Sequence, residues 1–255
     1  MMDHIVTSTS GSILVIRINR SEKKNALSLS MYTAMGDALE RAEADPQVRA
    51  IVLTGSDGCF TSGNDIADFL QSNPTGGESP AIRFLDKLGA AGKPVIASVT
   101  GLAVGIGVTM LLHCDLVYAA DTATFQLPFV NLGLVPEAAS SMLLPRLMGH
   151  QRAAELVLLG ERFDARTAKE FGLVNAVLPA SELAGIVDQR AAALAAKPPL
   201  ALRLTKALLK REPESIASRM AEEGKYFTRQ LGSPEAREAM EAFIERRKPD
   251  FSRFA

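Results

Sequence analysis

Four short, almost wholly apolar runs constrain this chain more than any other feature. They are "SILVIRI" (12–18), "VRAIVLTG" (48–55), "KPVIASVTG" (93–101) and "DLVYAA" (115–120). A strand with one wet face alternates apolar and polar residues, whereas a strand covered on both faces does not. Patterns of helical spacing lie between the runs: "SLSMYTAMGDALERAEAD" (28–45), with Ser28 or Ser30 as N-cap, "AIRFLDKLGAAG" (81–92), ending at glycine, and "VGIGVTMLLHC" (104–114). Strands alternating with helices predict an α/β fold with a sheet covered on both faces. "FTSGNDIADFLQ" (60–71) turns into a further helix, and "SNPTGGES" (72–79) reads as a loop. Beyond about residue 136 the pattern becomes helical: 138–149, 150–160, 164–172, 181–197 and 235–248, with one short strand at 173–179. The expected organisation is a core over 1–197 and a helical C-terminal region over 198–255.

Composition narrows the partners. A formal net charge of −1 and the absence of a long basic tract argue against nucleic acid and anionic membrane. No apolar run reaches the roughly 20 residues that span a bilayer. The opening "MMDHIVTSTSGS" lacks a basic stretch followed by an apolar core, so no secretory leader is expected. Two cysteines, Cys59 and Cys114, make no disulfide framework, and a reducing, cytoplasmic compartment is the expectation.

Several chemistries lack their residues. The three histidines, His4, His113 and His150, are scattered without metal-ligand spacing, and His113 reads as a core residue on an apolar helix. "GLAVGIG" has the wrong spacing for a dinucleotide site, and neither a phosphate-binding G-K-[ST] loop nor a G-x-S-x-G elbow occurs. No metal and no cofactor are expected.

Three stretches remain. "FTSGND" (60–65) and "GLAVGIGVT" (101–109) each place glycine where a strand gives way to a helix. Such turns leave backbone N–H groups unpaired at a helix start, and two converging on one point form an oxyanion hole. The glycines can equally serve only tight turns and close packing. The third, "PFVNLGLVPEAASS" (128–141), carries a single charge, Glu137. Pro136–Glu137 is an ordinary way to begin a helix. Alternatively, Leu134, Val135, Met142 and Leu143 desolvate the carboxylate and raise its proton affinity.

Together with "KNAL" (24–27), "CDLVYAADTATFQLPF" (114–129) and "FDARTAKEFGLVNAV" (163–177), these stretches resemble the crotonase (enoyl-CoA hydratase/isomerase) superfamily. The resemblance runs from about residue 12 to the end. It implies a spiral of ββα units, a helical C-terminal region that drives formation of a homotrimer or dimer of trimers, and an acyl-CoA thioester as substrate. It places the two N–H donors for the thioester oxygen at Asn64 and Ile106. Because backbone groups act there, the Asn64 side chain is expected to be dispensable. Lys24, Ala26, Ser62, Gly63, Asp65, Ile66 and Gly105 fall at substrate-binding positions, and Phe129, Leu134 and Thr109 line the pocket. Asp65 is also the natural N-cap for "IADFLQ". Lys23 could approach CoA phosphates, and Phe243 and Lys248 a neighbouring subunit's CoA.

The departures define the branch. Enoyl-CoA hydratases carry two glutamates at the positions of Thr109 and Phe129. Neither residue here can activate water or deliver a proton to carbon. The remaining acid, Glu137, matches the single base of the Δ3,Δ2-enoyl-CoA isomerases, which implies a proton shuttle from C2 to C4 of a 3-enoyl-CoA. The alternatives are a hydratase or other crotonase-type reaction, and a non-catalytic acyl-CoA-binding scaffold.

Overall fold

The apolar runs form the middle of a six-stranded sheet. The computed structural model describes residues 4–71, 79–211 and 216–254. In chain order the strands are β1 (Ile5–Ser10), β2 (Ile13–Ile18), β3 (Ala50–Thr54), β4 (Val95–Val99), β5 (Leu102–Val104), β6 (Leu116–Ala120), β7 (Thr124–Gln126), β8 (Arg162–Asp164) and β9 (Ala176–Leu178). The large sheet has the order β1-β2-β3-β4-β6-β9, antiparallel only between β1 and β2. A second sheet, β5-β7-β8, stands beside it.

The covered-sheet expectation follows from how β3, β4 and β6 divide their residues. Ile51, Leu53, Val95, Ala97, Val99, Val117 and Ala119 face the main core. Val52, Ile96, Tyr118 and Ala120 face the other way, onto Leu183, Val187 and Ala191. Those three are four residues apart, one stripe of a helix over Ala180–Ala195. On the main-core side, the helix Leu29–Ala44 buries Met31, Tyr32, Met35, Ala38, Leu39 and Ala42 along a single face. Ser28 is its N-cap, accepting from the Met31 amide at 3.4 Å. A further helix over Pro80–Ala90 packs Phe84 and Leu88 into the same core, with the Phe84 ring 5.8 Å from that of Tyr32.

Several expectations are corrected. β1 has the polar sequence IVTSTS and is mostly exposed, so an edge strand gave no apolar signal. The run 93–101 does not end in a helix directly: after β4 the chain turns at Thr100–Gly101 into β5. Three-residue strands such as β5, β7 and β8 are too short for periodicity to register. The helix expected over 104–114 is a short α-helix, Ile106–Thr109, continued as 3-10 helix over Met110–His113. The helix Pro80–Ala90 is capped by Ala91 rather than by glycine. The helix expected from 138 starts at Ser140, and the 150–160 segment is His150–Ala154 followed by a π-helical turn, Glu155–Leu159. The loop expected over 72–79 lies outside the described residues except for Ser79.

The C-terminal helices are Pro199–Leu209, Ile216–Leu231 and Pro234–Ile244. The first is pinned to the sheet by Lys206, which is buried. Its Nζ pairs with Asp115 at 2.7 Å and donates to the Lys93 carbonyl at 2.6 Å. Asp115 in turn accepts from the Val95 amide at the start of β4. The chain end is tied back by Arg49, which donates to the carbonyls of Phe254 and Lys197. Among the described residues no helix is long and apolar enough to cross a membrane.

Candidate active site

Both glycine turns leave the carboxyl ends of adjacent parallel strands, β3 and β4, the usual place for a ligand in a sheet of this kind. They run side by side. The Thr61 amide donates to the Leu102 carbonyl at 2.8 Å, and the Val104 amide to the Thr61 carbonyl at 3.1 Å, a parallel bridge pairing Thr61 with Ala103. Three residues beyond each member of that pair stand Asn64 and Ile106. Each directly follows a glycine in the positive-φ region: Gly63 at +94° and Gly105 at +57°. At Gly63 a Cβ would also lie only 2.9 Å from the Val104 carbonyl oxygen. The reversed peptides turn the next amides away from the ladder. Among the described residues neither the Asn64 nor the Ile106 N–H has an intramolecular acceptor.

A third segment is stitched to the first turn. The Ser62 amide donates to the Lys24 carbonyl at 3.0 Å, Leu27 to Gly63 at 2.8 Å, and Asp65 to Leu27 at 2.9 Å. Lys24, Ala26, Ser62, Gly63, Asp65 and Ile66 are therefore brought together around Asn64, with Gly105 on the adjoining turn. Asp65 behaves as the expected cap, its Oδ1 accepting from the amides of Ala67 and Asp68. Its Oδ2 pairs with Arg20 at 2.8 Å, and that hydrogen bond, with the helix amides, holds the carboxyl below its usual range. Lys23 and Lys24 are exposed, as are Phe243 and Lys248 on the tail.

Sequence reasoning missed the residue that organises this corner. Asn25 is fully buried. Its Nδ2 donates to the carbonyls of Ser56 and Cys59, its Oδ1 accepts from the Arg20 amide, and its carbonyl accepts from Thr61 Oγ1. Lys24 and Asn25 both adopt left-handed backbone conformations, at φ +50° and +57°. An asparagine beside the short turn Ser21–Lys23, a residue type that tolerates left-handed backbone, was the available signal.

Glu137 is not a helix-start residue. It lies in irregular chain before Ser140, followed by two alanines, Ala138 and Ala139, both left-handed at φ +54° and +55°. The Thr109 hydroxyl donates to its Oε1. Thr109 is fully buried, one turn beyond Ile106 on the same short helix. Burial pushes the Glu137 carboxyl up in pKa, and the Thr109 hydrogen bond opposes the shift. Leu134 and Val135 do not supply that burial: they are 47% and 79% exposed, since the loop turns them outward. Phe129 is buried.

Tyr32 is bonded to the first turn and feels the Glu137 charge. It is buried on the core face of Leu29–Ala44, and its hydroxyl donates to Asn64 Oδ1. Burial, with the nearby Glu137 charge, pushes the phenol well above its ordinary pKa, so it stays a donor. The Asn64 side chain is thus not idle: without it a buried hydroxyl loses its acceptor. In sum, the stretches chosen from the sequence assemble one desolvated carboxylate and two unpartnered N–H groups. That set can accept a proton and hold a negative oxygen.

A sequence model described as enoyl-CoA hydratase/isomerase matches residues 8–253. The chain is 33% identical to the 1,2-epoxyphenylacetyl-CoA isomerase of Escherichia coli (strain K12), over 99% of both chains. It is 38% identical to the enoyl-CoA delta isomerase 2 of Homo sapiens, over 95% of this chain and 63% of that protein. A solved structure from Magnetospirillum magneticum AMB-1, described as an enoyl-CoA hydratase/carnithine racemase, superposes with a TM-score of 0.96 at 45% identity, covering 99% of this chain and 100% of that one.

The Tyr32–Asn64 pair yields a stability test. Asn64→Ala orphans the Tyr32 hydroxyl and should cost about 1–3 kcal/mol, whereas Asn64→Ala with Tyr32→Phe removes both partners and should recover most of it. Denaturant midpoints of the two variants measure the difference. Equal losses would mean that the hydroxyl finds another acceptor.

Proposed function

Because the chain belongs to the enoyl-CoA hydratase/isomerase family, we propose that it moves the double bond of a 3-enoyl-CoA thioester to the 2-position. The observation that carries this reading is the solitary, desolvated Glu137, held by Thr109 and accompanied by Phe129 at the two positions where a hydratase needs acids. Glu137 takes a proton from C2, and the electron pair moves through the carbonyl and the C3–C4 double bond as a dienolate. The amides of Asn64 and Ile106 hold the negative thioester oxygen. The same carboxyl then returns the proton at C4, leaving a C2–C3 double bond. Nothing is consumed, so a single base suffices.

The energetics fit. A carboxylate near its ordinary pKa is a weak base toward a carbon acid, and burial strengthens it. Thr109 restrains the gain and occupies Oε1, leaving Oε2 to carry the proton. Backbone amides fixed by the sheet need no reorganisation as charge develops, which is where such donors are worth most. In this reading the exposed Lys23 and Lys24 approach the phosphates of CoA.

The same reading carries the assembly. Large apolar side chains stand exposed on the C-terminal helices, Leu209 at 81%, Phe243 at 85% and Ile244 at 78% among them. We infer a homotrimer or dimer of trimers that covers them. Sedimentation at micromolar concentration should show a species several times the 27.3 kDa chain mass, and a lone monomer would overturn the inference.

Glu137→Gln should keep acyl-CoA affinity while isomerase turnover falls by about 10²–10⁴ or more. Absorbance of the 2-enoyl thioester reports the reaction: it grows from 3-enoyl-CoA, whereas a hydratase would consume it from 2-enoyl-CoA. Turnover within about threefold of wild type would remove Glu137 as base.

Two pH effects accompany the assignment. The acid limb of kcat/KM should lie above the ordinary carboxylate range, and Thr109→Val, which removes the opposing hydrogen bond, should move it higher still. For stability the sign is reversed. A carboxyl whose pKa is raised on folding stabilises the fold only at low pH, and that contribution is lost as pH rises through the folded pKa. Glu137→Gln should therefore raise the Tm at pH 7–8 and lose this advantage at about pH 4, near the unperturbed glutamate value.

A further inference from the structure

The loop that carries Glu137 is held in an unfavourable shape. Two consecutive non-glycine residues, Ala138 and Ala139, are left-handed. Left-handed backbone is unfavourable for a residue that carries a Cβ and persists only where the surroundings enforce it. The Glu137 carbonyl accepts from the Ser140 amide at 3.0 Å and from Ser140 Oγ at 2.6 Å, and the Ala139 carbonyl accepts from the amides of Met142 and Leu143. These are bonds within the loop and its own helix. Among the described residues, two side chains from outside grip it. Thr109 takes the carboxylate, and His113 Nε2 lies 2.9 Å from the Ala138 carbonyl oxygen.

Thr109 and His113 lie on the continuous helical stretch 106–113, and both reach the loop at adjacent residues, Glu137 and Ala138. A carbonyl oxygen can only accept, so His113 must carry its proton on Nε2. Burial keeps the imidazole pKa below its usual value, and the charge of Lys210 acts in the same direction against the pull of the Ala138 carbonyl. The backbone behind the ring is anchored as well: Lys210 Nζ donates to the carbonyls of His113 and Gly89 at 3.2 Å each. His113, expected from the sequence to be a core residue, is half-buried with a defined polar task.

We propose that His113 is a positioning residue for Glu137: its Nε2–H grips the Ala138 carbonyl just after the base, while Thr109 grips the base itself, so that two donors from one helical stretch fix the aim of the carboxylate. This rests on the reading of Glu137 as the base. Proton transfer to carbon is sensitive to placement, and a displacement near 1 Å can cost about 10²-fold in rate. In the proposed reading acyl-CoA is held by residues 24–26 and 62–66, whereas His113 is bonded to Ala138 and Lys210, so His113 should affect the chemical step and not acyl-CoA affinity.

The test compares His113→Leu, which keeps bulk but donates nothing, with His113→Gln, whose amide Nε2–H reaches a similar point. With 3-hexenoyl-CoA as substrate, His113→Leu should lower kcat by about 10–100-fold with KM, and the Kd for hexanoyl-CoA, within about threefold. His113→Gln should recover kcat to within about threefold of wild type. A kcat for His113→Leu near wild type, or a His113→Gln variant as slow as His113→Leu, would overturn the proposal. If His113→Leu does not fold, His113→Met replaces it. Two readouts need no turnover. Nitrogen-15 NMR of labelled histidine should show the Nε2–H tautomer in wild type, and amide exchange at Ala138–Ser140 should be at least about tenfold faster in His113→Leu than in His113→Gln, as for a freed loop. The Nδ1–H tautomer would sink the proposal outright. A wild type that binds hexanoyl-CoA and passes both readouts, yet fails to isomerise 3-hexenoyl-CoA, would count against the proposed reaction and leave the grip of His113 on the loop standing.

Discussion

Everything at the candidate site depends on two strand-end backbones lying closer than side chains would allow. Thr61 and Ala103 are bridged in parallel, and Gly63 passes within reach of the Val104 carbonyl. That approach sets Asn64 and Ile106 at matching steps of two parallel turns. It also leaves their amides facing away from the ladder that occupies their neighbours. The surrounding polar residues stabilise this arrangement. Asn25 saturates the carbonyls that the first turn exposes, and Arg20 locks Asp65 at the start of the next helix. Among the described residues these two amides lack an intramolecular acceptor at one corner of an otherwise well-bonded core, which leaves them able to donate to a ligand oxygen.

The acid is positioned by a different principle. No secondary structure holds Glu137. It is suspended between a helix that donates from below and a loop bent against its own preference. Burial raises its proton affinity and at the same time destabilises the folded chain at neutral pH. The Thr109 hydroxyl moderates both effects, since a donor to the ionised form offsets part of the desolvation. Tyr32, on the core face of the helix Leu29–Ala44, feels the Glu137 charge and donates to Asn64. Stability given up at one carboxylate is consistent with a functional site, where local rules of burial and backbone geometry are commonly broken.

Legibility along the chain followed the length and purity of each signal. β3, β4 and β6 were readable because strands buried on both faces are apolar without interruption. The helix Leu29–Ala44 was readable to its cap because Ser28 precedes a stripe of spaced apolar residues. β1 was not, since an exposed edge strand of threonine and serine looks like a loop. β5, β7 and β8 span three residues each and show no period. Glu137 stood out as a lone charge, yet its surroundings were misjudged: Leu134 and Val135 are sequence neighbours that the loop turns outward.

By itself the sequence determined the α/β class, the two glycine turns and the single acid, and through its motifs the family. These are local properties: apolar runs, glycine at strand ends, a charge among apolar residues. Only the tertiary structure decided that the Thr109 hydroxyl meets Glu137, that Tyr32 meets Asn64, and that His113 reaches the Ala138 carbonyl. Those partners are separated by 28, 32 and 25 residues. Spacing along a chain says nothing about hydrogen bonds across such distances, because they form only once the packed core has fixed where each helix lies against the loop it holds.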